Sequence, residues 1–294
     1  MGKRFLQLLG FVIDKARKEK WAFVQPTLNY EADIENKISK RLATNTQRKD
    51  FVHYILQAKD PETGEAITSI QMRNECDVLF GAGVDTAATT IAACLFYLTL
   101  YPAVLEKLNQ EIRTTFADVE EIAQGRKLQS LSYLRACIDE SLRLAPPVPG
   151  PLLREVLPGG LTVNGKTLPA GTEVCVPMYA IHHNEVYFPE PSIFRPERWL
   201  DGLKDADRDA FFPFSAGTRV CIGRNLAYLD MTLSLARLLF LFDIRAAPES
   251  DTEKESVATS RLKERRKANK MEYHVEDWFI TVREGPFLQL KARS

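Results

Sequence analysis

The chain has 294 residues, 45% of them hydrophobic, enough to bury a substantial core in one large domain or two. Its 39 Lys and Arg balance its 39 Asp and Glu, which excludes a bulk charge suited to nucleic acid or to an acidic partner. The five cysteines (Cys76, Cys94, Cys137, Cys175 and Cys221) are odd in number, scattered and without a C-x-x-C, which excludes a disulfide framework and fits a reducing compartment.

At the front, Met1-Gly2 fails the myristoylation pattern because position 6 is Leu, and Phe5 to Ile13 is too short to span a bilayer. Phe5, Leu8, Leu9, Val12 and Ala16 form a helical stripe with a basic reverse face, predicting a surface helix over residues 3–20, with interfacial membrane contact as the alternative. Residues 35–58 read as one helix, ending before the turn Asp60-Pro61-Glu62-Thr63-Gly64. A long helix starts at Thr68 or Ser69 and passes through Gly81-Ala82-Gly83-Val84-Asp85-Thr86-Ala87, where small residues admit something bulky. The Thr86 hydroxyl can bond the carbonyl of Ala82 and loosen the helix there, and an acid beside a hydroxyl in an apolar run is costly unless paired or useful. Thr86 to Leu105 is uncharged and long enough to span a membrane, yet its four threonines, Pro102 and the lack of a basic flank favour a buried core helix.

Pro102 opens the next helix, with Leu105, Leu108, Ile112 and Phe116 inward and Lys107 and Glu111 standing four apart on the wet face. Residues 117–128 read as a short helix plus loop, and Leu131 to Leu144 as a helix on which Glu140 and Arg143 share a face. The one clear β region is a hairpin, Leu161 to Leu168, turning at Asn164-Gly165, with a further strand from Thr172 to Pro177. His182 and His183 read as hydrogen-bonding loop residues rather than metal ligands. A largely buried helix runs from Cys221 to about Phe242, and Arg261 to Lys267 is a basic run, read as a solvated segment or a docking site for an electron donor. Trp278 to Val282 and Phe287 to Leu290 read as a hairpin around Arg283-Glu284-Gly285-Pro286.

The most informative stretch is Phe214-Ser215-Ala216-Gly217-Thr218-Arg219-Val220-Cys221-Ile222-Gly223, a tight loop presenting one sulfur before a helix. Gly217 and Gly223 read as positions where a Cβ would clash with a flat ligand. Arg219 and the following helix N-terminus favour a thiolate, and Phe214 offers an aromatic wall. A thiolate so presented suits haem iron, where its electron donation favours O–O cleavage. The bland alternative is a buried free cysteine at a helix N-terminus. F-x-x-G-x-R-x-C-x-G arises by chance on the order of once per million starts.

This loop, extended by Leu226 and Ala227, resembles the cysteine-ligand loop of the cytochrome P-450 monooxygenases. Ala82-Gly83-Val84-Asp85-Thr86-Ala87 resembles the family's oxygen-activation motif, with Ala87 in place of a second Thr, and Glu140-x-x-Arg143 with Phe194-Arg195-Pro196-Glu197-Arg198-Trp199 resembles its E-x-x-R and P-E-R-F pair. The resemblance implies an α-rich fold with a small β region and a single haem-binding catalytic domain over 1–294, clearest over 35–294 and incomplete at its N-terminus, like the C-terminal part of a fungal member. None of Trp21, Trp199 and Trp278 has Arg four residues later, so the family's propionate-binding helix motif is missing, and no N-terminal anchor is expected.

By the same resemblance Cys221 binds the iron of haem b, with Phe214, Gly217, Arg219, Gly223 and Arg154 (reaching a propionate) around it. Asp85 and Thr86 deliver protons, while Glu140, Arg143 and Arg198 form a buried structural network and the tip of the last hairpin touches substrate. The implied activity inserts one atom of dioxygen into an apolar organic substrate in secondary, aromatic or xenobiotic metabolism, with electrons from NADPH through a reductase. A full-length form would sit on the cytosolic face of the endoplasmic reticulum, and the chain as given would be cytosolic. The alternatives are a truncated non-catalytic remnant or partial gene product, and a haem-thiolate isomerase or dehydratase, the last disfavoured by Thr86.

Overall fold

Thr68 and Gln71 begin the longest helix by capping each other: the Thr68 hydroxyl accepts from the Gln71 N–H (3.3 Å), and the Gln71 side chain accepts from the Thr68 N–H (2.9 Å). In this computed structural model, which describes residues 25–44, 48–202, 208–248, 264 and 269–293, that helix runs unbroken from Ser69 to Leu100. The helices in order are α1 (Gln25–Ala43), α2 (Phe51–Gln57), α3 (Ser69–Leu100), α4 (Pro102–Thr115), α5 (Arg126–Gln129), α6 (Ser132–Leu144), α7 (Met178–His182) and α8 (Arg224–Leu241). Among the described residues eight short strands pair as four antiparallel two-stranded sheets: β1 (Arg154–Glu155) with β4 (Glu173–Val174), β2 (Leu161–Val163) with β3 (Lys166–Leu168), β5 (Phe242–Ala246) with β8 (Leu288–Ala292), and β6 (Val275–Trp278) with β7 (Ile280–Arg283). The fold is α-rich with a small β content. The expected helix over residues 3–20 and most of the basic run 261–267 lie outside the described residues.

The chain divides into two compact units, Met1–Ala82 and Gly83–Ser294. In the first, Ile34, Ile38, Met72 and Cys76 make a small core. The single helix expected over 35–58 is two helices here, because Asp50 is an N-cap. Its carboxylate accepts the His53 N–H (3.0 Å) and a bidentate pair from Arg41 (2.7 and 3.1 Å), and these donors pull its acidity to about 2.

The second unit holds the main core, built from the C-terminal half of α3 with α4, α6 and α8. Cys94, Leu98, Leu108, Ile112, Leu134, Ile138, Leu235 and Leu239 are wholly buried, and Tyr97 stacks on Phe194 at 5.0 Å. Among the described residues α3 is the one helix long and apolar enough to cross a membrane, and its second half lies in this core. Lys107 and Glu111 do not pair. Lys107 reaches Glu197 (3.0 Å), and Glu111 caps α6, accepting the N–H groups of Tyr133 and Leu134 at 2.8 Å each, where the helix dipole favours a carboxylate.

Two other expectations need correction. α8 buries only Met231, Leu235, Ala236 and Leu239, and Leu226 stands exposed, so this helix is one-sided rather than largely buried. The last hairpin also differs. β8 pairs back with β5, with Ile244 opposite Leu290, while the hairpin is β6–β7, turning at Phe279 with φ +78°.

Glu140 joins α6 to the turn Pro196–Trp199. Its Oε1 accepts from Arg143 Nη2 (2.8 Å), Arg198 Nε (2.9 Å) and the Arg195 amide (3.0 Å), while Oε2 accepts from Arg143 Nε and Trp199 Nε1, both at 3.0 Å. Glu140 and Arg143 have no exposed surface. The surplus positive charge is met by backbone carbonyls of His182 (2.9 Å) and Pro191 (2.7 Å) against Arg143, and of Pro189 (3.1 Å) against Arg198. Trp199 is therefore more than a conservative replacement of Phe, because its indole N–H donates to the buried carboxylate. Trp199→Phe should lower stability by about 1.5 kcal/mol, the scale of one hydrogen bond to a charged group, read from the urea midpoint at unchanged slope.

Candidate functional site

The cysteine loop is held by its own backbone. Cys221 N–H donates to the Phe214 carbonyl (2.8 Å), closing an eight-residue loop, and Val220 N–H donates to Gly217 O (3.2 Å) across a single 3-10 turn, Gly217–Arg219. Gly217 sits at φ +70°, a conformation L side chains resist, and a Cβ there would meet nothing within 4 Å. Gly223 has an ordinary φ of −81°, and a Cβ there would lie 3.8 Å from Cys221 Sγ, a normal contact. Gly217 thus meets a conformational demand of the turn, and at neither glycine would a Cβ meet a protein atom closer than 3.8 Å. Helix α8 begins at Arg224, three residues past Cys221, and Ala227 N–H donates to Gly223 O (2.9 Å).

Of the five cysteines, Cys76, Cys94 and Cys137 are buried, and burial pushes the Cys94 thiol up to about 12 and Cys137 well above its ordinary value. Cys175 and Cys221 are exposed. Of these two, Cys221 is flanked by a cavity. A space of about 610 Å3 is lined by Leu152, Arg154, Thr218, Arg219, Ile222 and Phe279 among others, with Ile222 fully exposed. The structure therefore brings Arg154 and Arg219 to one cavity beside the sulfur-bearing turn. Arg154 lies on β1, its Nη1 donating to Leu153 O (2.8 Å), and β1 is held by its pairing with β4. Phe214 is elsewhere. It is half-buried against Tyr228 (5.1 Å) and borders a separate cavity of about 830 Å3 together with Arg135, Arg208 and Arg224.

Asp85 is exposed and Thr86 half-buried, both on continuous α-helix. The carbonyls of this pair are doubly used. Asp85 O accepts the Thr89 hydroxyl (2.8 Å), and Thr86 O accepts that of Thr90 (3.1 Å). Thr89, three residues beyond Thr86 and so on the same face, also meets the Thr281 hydroxyl on β7 at 3.4 Å. Phe279, at the turn two residues before Thr281, borders the cavity shared by Arg154 and Arg219. Sequence reasoning missed this Thr89–Thr281 tie, because nothing local connects residues 192 apart.

His182 belongs to the short helix α7 and is wholly buried; its Nε2 accepts the Phe212 N–H (3.2 Å), two residues before the loop. Its carbonyl is the one held by Arg143, so the Glu140 network reaches the loop through this residue. His183 stacks on Tyr179 at 4.0 Å, and neither histidine belongs to a cluster of metal-binding side chains. Among the described residues no group of three or more His, Cys, Asp or Glu could hold a metal ion. An iron porphyrin brings the remaining ligands of its metal with it, and one exposed sulfur, apolar Val220 and Ile222 and two cavity arginines suit such a group with its propionates.

The family model for Cytochrome P450 matches residues 5–269. The chain is 40% identical over 264 residues to a cytochrome P450 monooxygenase of Gibberella zeae, covering 89% of this chain and 60% of that protein. It is 39% identical to cytochrome P450 monooxygenase apf7 of Gibberella fujikuroi, covering 87% and 48%. With lcsN of Purpureocillium lilacinum, a protein of the same description, identity is 36%, covering 87% and 75%. The chain spans about half the length of the first curated relatives it matches, 60% and 48%.

Burial holds His182 well below the ordinary histidine value of 6.5, at about 3, and Arg143 and His183 push the same way. The unfolded chain therefore binds this proton first, so the contribution is complete above pH 6.5 and is lost as the pH falls toward 3. His182 should cost ~1.5 kcal/mol of stability between pH 6.5 and 5, with His183, also lowered by burial, adding in the same sense. Urea unfolding across that range checks it, and His182→Gln should flatten the dependence.

Proposed function

The chain belongs to the cytochrome P450 family, and from that membership we propose that it carries the haem-thiolate half of a monooxygenase acting on an apolar organic substrate. The observation that supports this most is the presentation of Cys221, an exposed thiol on a backbone-locked turn beside a cavity bearing Arg154 and Arg219. Haem b, when bound, supplies the activation of dioxygen. One oxygen atom enters the substrate and the other leaves as water, consuming two electrons from NADPH through a reductase and two protons.

The chain's own residues supply the setting. Cys221 Sγ would be the iron ligand, two residues after Arg219 and three before the first residue of α8. Arg154 and Arg219 bind the propionates, for which planar, permanently charged guanidinium groups are suited. Gly217 keeps the turn's left-handed corner, and Gly223 leads into α8. Phe214 supports the loop through its contact with Tyr228. Asp85 takes protons from solvent at its exposed carboxylate, and Thr86 Oγ1 passes them inward. A full-length form would work at the cytosolic face of the endoplasmic reticulum, in secondary or aromatic metabolism.

Dithionite and carbon monoxide added to the haem-loaded chain should give the red-shifted Soret band of a thiolate ligand, and Cys221→Ser should abolish it. Haem that binds without that band in the unaltered chain would refute the assignment. Thr86→Ala should keep the band while product formation falls about 100-fold, the lower end of the range for a positioned proton-transfer group.

A further inference from the structure

We propose that Asp139, Tyr228 and Arg135 form a clamp that positions the cysteine loop from behind, acting through Phe214; the inference rests on the haem-thiolate reading above. Asp139 and Glu140 are consecutive on α6, so their side chains leave the helix about 100° apart. Glu140 is committed to the Pro196–Trp199 turn, and Asp139 faces α8. The Tyr228 hydroxyl donates to Asp139 Oδ1 at 2.7 Å, and Arg135 Nε donates to Oδ2 at 2.9 Å. The Arg135 guanidinium also lies over the Tyr228 ring, 3.5 Å from its centroid. That ring meets Phe214 at 5.1 Å, and the Phe214 carbonyl accepts the Cys221 N–H at 2.8 Å.

A continuous path of contacts thus joins a nearly buried carboxylate (13% exposed) to the amide of the cysteine itself. Tyr228 follows Cys221 by seven residues and lies on α8, four residues past its first residue, Arg224. Burial raises Asp139 against the pull of Arg135 and Tyr228, so removing either donor leaves a costly group poorly satisfied. Phe214, Tyr228 and Arg135 all border the cavity of about 830 Å3, so on that side the clamp is what presses on Phe214. Loss of the Tyr228 hydroxyl frees the ring, and the Phe214 carbonyl then no longer fixes the cysteine amide.

The test compares the haem-loaded unaltered chain with Tyr228→Phe, Asp139→Asn and a control, Tyr273→Phe, which removes an equally short hydroxyl bond (2.7 Å, to Gly285 O) away from the loop. The readouts are the fraction of ferrous–carbonyl complex in the thiolate-type band, the iron midpoint potential and the melting temperature. Tyr228→Phe should raise the fraction lacking the thiolate-type band several-fold and shift the potential, Asp139→Asn should do so in the same direction, and Tyr273→Phe should melt earlier with its band unchanged. Equal band loss in Tyr228→Phe and Tyr273→Phe, or no loss in Tyr228→Phe, overturns the clamp while leaving the haem-thiolate reading intact. Absence of the band from the unaltered chain overturns both. Should Tyr228→Phe fail to fold, Asp139→Asn carries the comparison with the same two outcomes.

Discussion

One carboxylate governs the second unit. Glu140 takes five donors from four residues on two oxygens with no exposure to solvent: two from Arg143 on α6, and one each from the Arg195 amide and the Arg198 and Trp199 side chains of the following turn. A buried ion of this kind stabilises little by its own attraction, because desolvation offsets the Coulomb gain. Removing one partner, however, leaves an uncompensated charge at a cost of roughly 3–5 kcal/mol. The network therefore acts less as glue than as a constraint on geometry, since any displaced donor is penalised.

That constraint extends to the sulfur. Arg143 also holds the carbonyl of His182, whose imidazole accepts the Phe212 N–H, so the segment entering the cysteine loop is tied to the same pair of residues. The loop then turns through the left-handed Gly217 and closes with the Cys221–Phe214 amide bond. At the far end Arg113 donates to the carbonyls of Leu239 (2.9 Å) and Phe242 (3.3 Å), supplying donors to carbonyls at the C-terminus of α8. A thiol presented this way is exposed at its sulfur and rigid at its backbone, the combination a metal ligand needs.

Local chemistry was the legible part of the sequence. Pro102, the Asn164-Gly165 turn and the cysteine loop each declare themselves within a few residues, and the structure has α4, β2–β3 and α8 where they point. What escaped was set by partners far along the chain. The β5–β8 register joins residues about fifty apart, Lys107 prefers Glu197 to its helical neighbour Glu111, and Trp199 gains its importance only once Glu140 is beneath it. The break within 35–58 was different in kind: Asp50 served as a cap, a role that reads in sequence like any polar helix residue. In the candidate site, Cys221, Arg154 and Arg219 stood out by motif, whereas Thr89, Thr281 and Phe279 became visible only when β7 was seen beside α3.

The haem-thiolate function proposed above requires a sulfur–iron bond at Cys221, and X-ray absorption at the iron edge of the haem-loaded chain reads that bond without reference to turnover. We predict one sulfur scatterer in the first coordination sphere of the iron, lost in Cys221→Ser. An iron surrounded by nitrogen and oxygen alone in the unaltered chain would contradict it.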